Sequence, residues 1–277
     1  MLNPPFGVLA DAFRVGLPAT CAGCGRWDVP LCDDCAALLT APPHRVEHVD
    51  AAGGMEVWAL AGYTGPMRSL VLNWKNGARE DLREVMSAAG ERAGRRLTQA
   101  LSAEALAAAS GGTMLVIPAP SGLRRRLSGR LVAADLADAV ARGLAAGWAQ
   151  TDLAGSDQPV TVASADVLRR RVGAGGAHQS GRSAAQRRAN RSVPPRLVAP
   201  VRGQAVVLVD DVVTTGATLG ACARALTQAG AVVGGAMVVA AAPPPQRTRR
   251  PVVPGGPVLP RPSAQTNVAR TRQDRSI

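Results

Sequence analysis

Aromatic residues make up only 3% of this 277-residue chain, and lysine occurs once, at position 75. Without aromatics to fill space, the core must come from aliphatic side chains and from alanine-rich helices packed close together. Histidine is scarce as well: His44, His48 and His178 have no spacing that suits an acid–base pair. No apolar run approaches the roughly 18 residues that a membrane span requires. Residues 6–20 have a faint signal-peptide character, but Asp11 and Arg14 interrupt the apolar stretch, so a cytoplasmic protein is expected.

Arginine is what the chain has in excess. Of its 32 basic residues all but Lys75 are arginine, and the net charge is +12 with a pI near 11.2. That balance favours anionic partners, phosphates or nucleic acid. The skew towards arginine also marks a GC-rich genome, so part of the charge is compositional. With 47% hydrophobic residues the chain can bury a full-sized core.

Four of the five cysteines follow the pattern Cys21-x₂-Cys24-x₇-Cys32-x₂-Cys35. Each CxxC turn can bring two thiolates to one side, and two such turns complete a tetrahedral Zn²⁺ shell with no open position for catalysis. A disulfide pair or a CxxC redox centre would be the alternatives. The first fits a reducing compartment poorly, and the second does not require two copies. Cys222 is read as a small buried residue.

Strand and helix signals alternate along the chain. Glu56–Tyr63 reads as a strand, Met67–Trp74 as a helix and Glu80–Ala109 as a long alanine-rich helix. Thr113–Ile117 is an apolar strand ended by Pro118 and Pro120, and Leu131–Ala146 reads as a helix. Val160–Leu168 is a weaker strand, and Ala231–Ala241 is a final apolar one. This alternation predicts an α/β fold with a parallel sheet and flanking helices. Residues 1–40 are expected to hold a short helix and the zinc ribbon, 41–242 the α/β domain, and 243–277 a disordered basic Pro/Arg-rich tail. The tail carries seven arginines against Asp274 alone, a composition suited to polyanions such as single-stranded DNA.

The chemistry concentrates in Val206–Leu219, VVLVDDVVTTGATL. Val206–Val209 is a wholly apolar β-branched run, the pattern of a strand buried on both faces of a parallel sheet. Asp210 and Asp211 sit where that strand should end. The small, hydroxylated Thr214–Thr218 follows, and Ala217–Gly230 reads as a helix. Backbone N–H groups and the helix dipole then converge on one anion site, while the acids upstream can accept hydrogen bonds from sugar hydroxyls. A ligand with a phosphate and a diol about one sugar apart is expected.

The stretch resembles the 5-phosphoribosyl diphosphate (PRPP) motif of type I phosphoribosyltransferases. The resemblance implies a PRPP-binding set of Asp210, Asp211, Val212, Thr214, Thr215, Gly216, Ala217 and Thr218. Asp210 and Asp211 would hold the ribose 2′- and 3′-hydroxyls, the loop the 5′-phosphate, and Mg²⁺ would accompany the diphosphate. More broadly the chain resembles the ComF family, over roughly residues 15–242. The ribbon, the segment WKNGARED around Lys75, the strand end VIPAPS with its arginine run, and Gln179-x-Gly-x-Ser-x₃-Arg187-Arg188-x-Asn190 occur in family order. That likeness gives Lys75, with Arg79 as second candidate, a diphosphate role. A lone lysine would otherwise be read as solvated surface. Arg124, Gln179, Arg187 and Arg188 become lid or phosphate contacts, or else parts of solvated basic loops. Two departures stand out: Leu127-Ser128-Gly129-Arg130-Leu131 lacks the family's polar pair, and Arg182 replaces a leucine. The expected function is phosphoribosyl transfer to an acceptor with release of diphosphate. The alternative is a PRPP-sensing or single-stranded-DNA-associated module of competence without turnover.

Overall fold

Alternating apolar strands and alanine-rich helices build a layered α/β structure with a mostly parallel central sheet. The computed structural model describes residues 19–77, 79–110, 112–121, 131–150, 160–171 and 193–244. The expected N-terminal helix, the arginine run at 124–126, the Gln179–Asn190 segment and the tail lie outside the described residues.

In chain order the elements are α1 (Asp33–Thr40), β1 (His44–Arg45), a 3₁₀ turn (Asp50–Ala52), β2 (Val57–Gly62), α2 (Gly65–Asn76), α3 (Leu82–Leu97) and a second 3₁₀ turn (Thr98–Ala100). They continue as α4 (Ala103–Ala109), β3 (Thr113–Pro118), α5 (Val132–Trp148), β4 (Thr161–Ser164), β5 (Leu168–Arg169), β6 (Arg196–Leu197), β7 (Ala205–Val213), α6 (Ala217–Gln228) and β8 (Val232–Ala241). The main sheet has the order β1-β2-β8-β7-β3-β4, parallel throughout except for β1 against β2. β5 and β6 form a separate antiparallel pair.

Side-chain alternation along β7 assigns its two faces. Val207 and Val209 pack with Leu70, Met86, Leu136 and Val140 in the layer of α2, α3 and α5. Val206 and Leu208 pack with Leu219, Cys222 and Leu226 of α6 on the other side. A strand covered on both faces must be apolar at every position, which is why Val206–Val209 shows no polar alternation. The ribbon shares the first of these cores: Cys21, Cys35 and Leu39 are buried with Leu70, Val71 and Trp74.

The connections reverse direction in the middle of the sheet. β3 leads through α5 to β4 on one side, whereas β7 leads through α6 to β8 on the other. Between β3 and β7 the loops therefore part and leave a crevice at the carboxyl ends of the strands, the place where open α/β sheets bind ligands.

Three expectations from the sequence need correction. The helix foreseen over Glu80–Ala109 breaks after Leu97, and Ser102 starts a new one by accepting a hydrogen bond from Ala105 N–H at 3.3 Å. The strand foreseen over Val160–Leu168 divides, its end joining β6 instead of the main sheet. β7 does not stop at Asp210; it runs to Val213, because β8 pairs with it as far as Ala241. On its other side β3 ends at Pro118, opposite Val209, and a proline next in line at 120 cannot extend the ladder. The acids thus lie on a strand that has lost one neighbour and kept the other. The sequence also gave no sign of α1, which starts directly after Cys32 with Asp33 and Asp34 in its first turn.

Few aromatics mean close helix contact, and α3 and α5 supply it. A Cβ added at Gly94 would lie 2.3 Å from Val140 O, and one at Gly143 would lie 2.0 Å from Glu91 O. Backbone cannot yield by that much without separating the helices. Gly143→Ala should therefore destabilise the fold by about 2–4 kcal/mol, despite alanine's better helix propensity. Urea unfolding monitored by circular dichroism measures this, and an unchanged midpoint would contradict the packing.

Candidate functional site

A cleft of about 400 Å³ opens at this crevice. Its walls include Lys75 from the last turn of α2, Ala119–Ser121 after β3, Arg170 after β5, and the run Asp210–Leu219. Lys75, Asp210, Asp211, Val212 and Thr214–Thr218, separated by up to 143 positions in the chain, thus meet in one place.

The floor is the end of β7. Asp211 faces the α2 side, where Lys75 Nζ lies 2.6 Å from its Oδ2, with both side chains largely buried. Asp210, half-buried, accepts the backbone N–H of Asp211 on its Oδ1 at 2.8 Å. Burial, followed by the neighbouring Asp211 carboxylate, pushes its carboxyl up to about 7, against the pull of that N–H, Lys75 and Arg170. Cys222, on the buried face of α6, is likewise pushed up to about 12 by burial and by Asp210, and so stays a neutral packing residue.

The loop and helix start form the next wall. Gly216 takes φ +79° as the N-cap of α6, and a Cβ there would meet Ala52 N at 2.9 Å. The turn Asp50–Ala52 is what crowds it, and Ala51 N–H donates to Thr215 O at 3.2 Å. Glycine is required at this position by conformation and by space together. α6 is twelve residues long with no acid in its first turn, so its positive end faces the cleft uncompensated.

Arg79 does not join the cleft. Its guanidinium donates to Thr20 O at 2.7 Å and Pro30 O at 2.8 Å, and pairs with Asp81 at 2.7 Å. Arg170 contributes a cation there instead, with its Nε–H donating to Pro120 O at 3.1 Å. Within a run of three arginines nothing local singles it out. Tyr63, at the end of β2, also lines the cleft. The candidates Arg124, Gln179, Arg187 and Arg188 lie outside the described residues.

At the amino end the sulfur atoms of Cys21, Cys24, Cys32 and Cys35 all lie within 4.8 Å of one another. Cys32 Sγ is 3.6 Å from both Cys21 Sγ and Cys24 Sγ. A tetrahedron with Zn–S bonds of about 2.3 Å has edges of about 3.8 Å, so the spacing fits that ion. Burial raises the Cys21 thiol, but the N–H groups of Cys32, Cys24 and Gly23 aimed at it prevail and bring it down to about 6. Burial and the neighbouring thiols push Cys35 up. A cation at the centre would let all four ionise together.

Two carboxylates near the end of a central strand, then a small-residue loop and a helix start, line a cleft at the reversal point of an α/β sheet. The family model of the phosphoribosyl transferase domain matches residues 129–253. Residues 129–253 are thus similar to a phosphoribosyl transferase domain, and the four-cysteine cluster precedes them. The match takes in both acids and the loop, while Lys75 and the cysteines lie upstream of it. No curated protein matches the chain.

Two measurements check this geometry. Because Asp210 titrates near 7 when folded and near 4 when unfolded, the folded chain binds the extra proton between those values. Stability from this group therefore falls as pH rises through that window. Asp210→Asn, which keeps the oxygen accepting from Asp211, should match the wild type at pH 4 and exceed it by roughly 1–3 kcal/mol at pH 8. A gap that is constant with pH would refute the raised carboxyl. For the cysteines, elemental analysis of protein purified without added metal should give one zinc per chain, and a ratio near zero would remove the assignment.

Proposed function

We propose that the cleft binds PRPP together with Mg²⁺ and transfers its phosphoribosyl group to an acceptor, releasing diphosphate. The observation that carries this reading is the meeting of Asp210, Asp211, the Thr214–Thr218 loop and Lys75 in one cleft. Asp210 and Asp211 accept hydrogen bonds from the ribose hydroxyls and fix the ring. Loop N–H groups and the positive end of α6 hold the 5′-phosphate. A ribose hydroxyl on Asp211 competes with the Lys75 ammonium and frees it to turn towards the diphosphate. Arg170, whose charge is felt at Asp210, supplies a second cation. The two approach from opposite layers of the sheet.

In this reaction the bond from C1′ to the diphosphate oxygen breaks as the acceptor's bond to C1′ forms, through a state with positive charge on the ring. Electrostatic help at the leaving group is the protein's main contribution, on the order of 3–4 kcal/mol for one well-placed donor. Mg²⁺, bound with the diphosphate, would withdraw charge from it; the carboxylates of Asp210 and Asp211 are a donor set suited to such a hard cation and its waters. The ribbon, the segment WKNGARED and the strand end VIPAPS support placing the chain among ComF proteins. A cytoplasmic role in handling single-stranded DNA during competence goes with that placement.

Calorimetry with PRPP and Mg²⁺ tests the reading. Binding is expected for the wild type, and Asp210→Asn with Asp211→Asn should weaken it about 10²- to 10⁴-fold, given about 1.5–3 kcal/mol per charge-assisted bond. No heat with the wild type, or unchanged affinity in the folded double variant, overturns the assignment. Diphosphate release with a panel of bases and amines then identifies the acceptor.

A further inference from the structure

The chain is tied to the four-cysteine ribbon on both sides of Lys75, within α2 and just after it. Two residues before it, Asn73 Nδ2 donates to Ala22 O at 2.8 Å. Four residues after it, Arg79 donates to Thr20 O and Pro30 O. Every one of these acceptors adjoins the cysteine cluster: Thr20 and Ala22 flank Cys21, and Pro30 lies two residues before Cys32. The carbonyl-bearing segments are themselves linked, since Ala22 N–H donates to Pro30 O at 3.0 Å. Packing reinforces the ties. A Cβ at Gly23 would lie 2.6 Å from Cys35 Sγ and 3.3 Å from the Leu70 side chain, so the first knuckle rests directly on α2. Immediately after α2 the chain turns at Gly77, φ +64°, and Arg79 is the next strong anchor.

We infer that the ribbon is the positioning element for Lys75: by fixing the carbonyls of Thr20, Ala22 and Pro30, the metal-loaded cysteine cluster sets where α2 ends and so where the Lys75 ammonium stands over Asp211. This rests on the reading of the cleft as a PRPP site. A four-carbon lysine stem is flexible, and a 2.6 Å contact in a largely buried place persists only if the helix end carrying it is held. Metal loading and diphosphate binding are then linked energetically although they occur at separate sites, and the linkage runs through Asn73 and Arg79, neither of which lines the cleft. Arg79, expected from the sequence to meet the diphosphate itself, acts on it through Lys75.

The test uses the full-length zinc-loaded protein and Arg79→Met, which keeps the aliphatic stem and removes the donors. Zinc content and melting temperature are measured first, then affinity for PRPP with Mg²⁺ and for ribose 5-phosphate, which lacks the diphosphate. Amide hydrogen exchange is followed over 65–77. The variant is expected to keep its zinc, lose about 5- to 100-fold in PRPP affinity, the usual span of coupling between sites, and bind ribose 5-phosphate within twofold of wild type. Exchange over 65–77 should quicken, and that over 205–213 should not. Unchanged PRPP affinity overturns the inference, as does an equal loss for both ligands, which would mean general loosening. If the wild type itself fails to bind PRPP, the functional reading falls and exchange alone decides: quickening over 65–77 upholds the positioning role, and no change removes it. Should Arg79→Met lose zinc, Asn73→Ala cuts the other tie and takes its place in the same measurements.

Discussion

Two adjacent carboxylates at the end of a buried strand cannot both remain charged in a half-dry cleft without a cation close by. Lys75 answers one of them at 2.6 Å, and the other is left with its carboxyl raised to about 7. Much of the surrounding structure serves that arrangement. α2 must end where its last turn overlooks β7, and β3 must stop one residue short of the acids so that the cleft opens on that side. A buried ion pair of this sort adds little net stability, because desolvation offsets most of the attraction. Its worth lies in poise. A single point contact orients Asp211 over the cleft and can be released.

The choice of lysine fits this role in a chain that otherwise uses arginine. A guanidinium would hold a carboxylate through two parallel bonds in a planar fork, and a ligand hydroxyl would have to displace both. An ammonium makes a point contact and swings away on a flexible stem. Arginine appears where a fixed clamp is wanted. Arg79 spans Thr20 O, Pro30 O and Asp81 at once, a task that needs several donors in a rigid frame.

The shortage of aromatics is met by backbone proximity. Gly90, Gly94, Gly143 and Gly147 let α3 and α5 approach until a single methyl group would strike a carbonyl or a side chain. The same device appears at the cleft, where Gly216 sits against the Asp50–Ala52 turn. Contacts of this kind are short-ranged and steep. They fix the loop and the helices relative to the sheet with little tolerance.

What the sequence determined by itself was whatever consecutive residues accomplish together. Asp210 and Asp211 followed by Thr214–Thr218 line one wall of the cleft together because strand, loop and helix start are continuous in the chain. The four cysteines form one cluster because their spacing brings the thiols round. The alternation of apolar runs and alanine-rich helices declares the parallel α/β layers. Tertiary structure decided what depends on which carbonyl or carboxylate a long side chain can reach. Arg79 lay four residues from Lys75 and could have met the same ligand, but the ribbon's carbonyls were closer. Arg170 entered the cleft from a run of three arginines because Pro120 O anchors it there. The strand carrying the acids ran on to Val213 because β8, a partner invisible in the local pattern, offered it hydrogen bonds to the end. Each of these outcomes turns on the distance between groups far apart in the chain, and local pattern contains no measure of that distance.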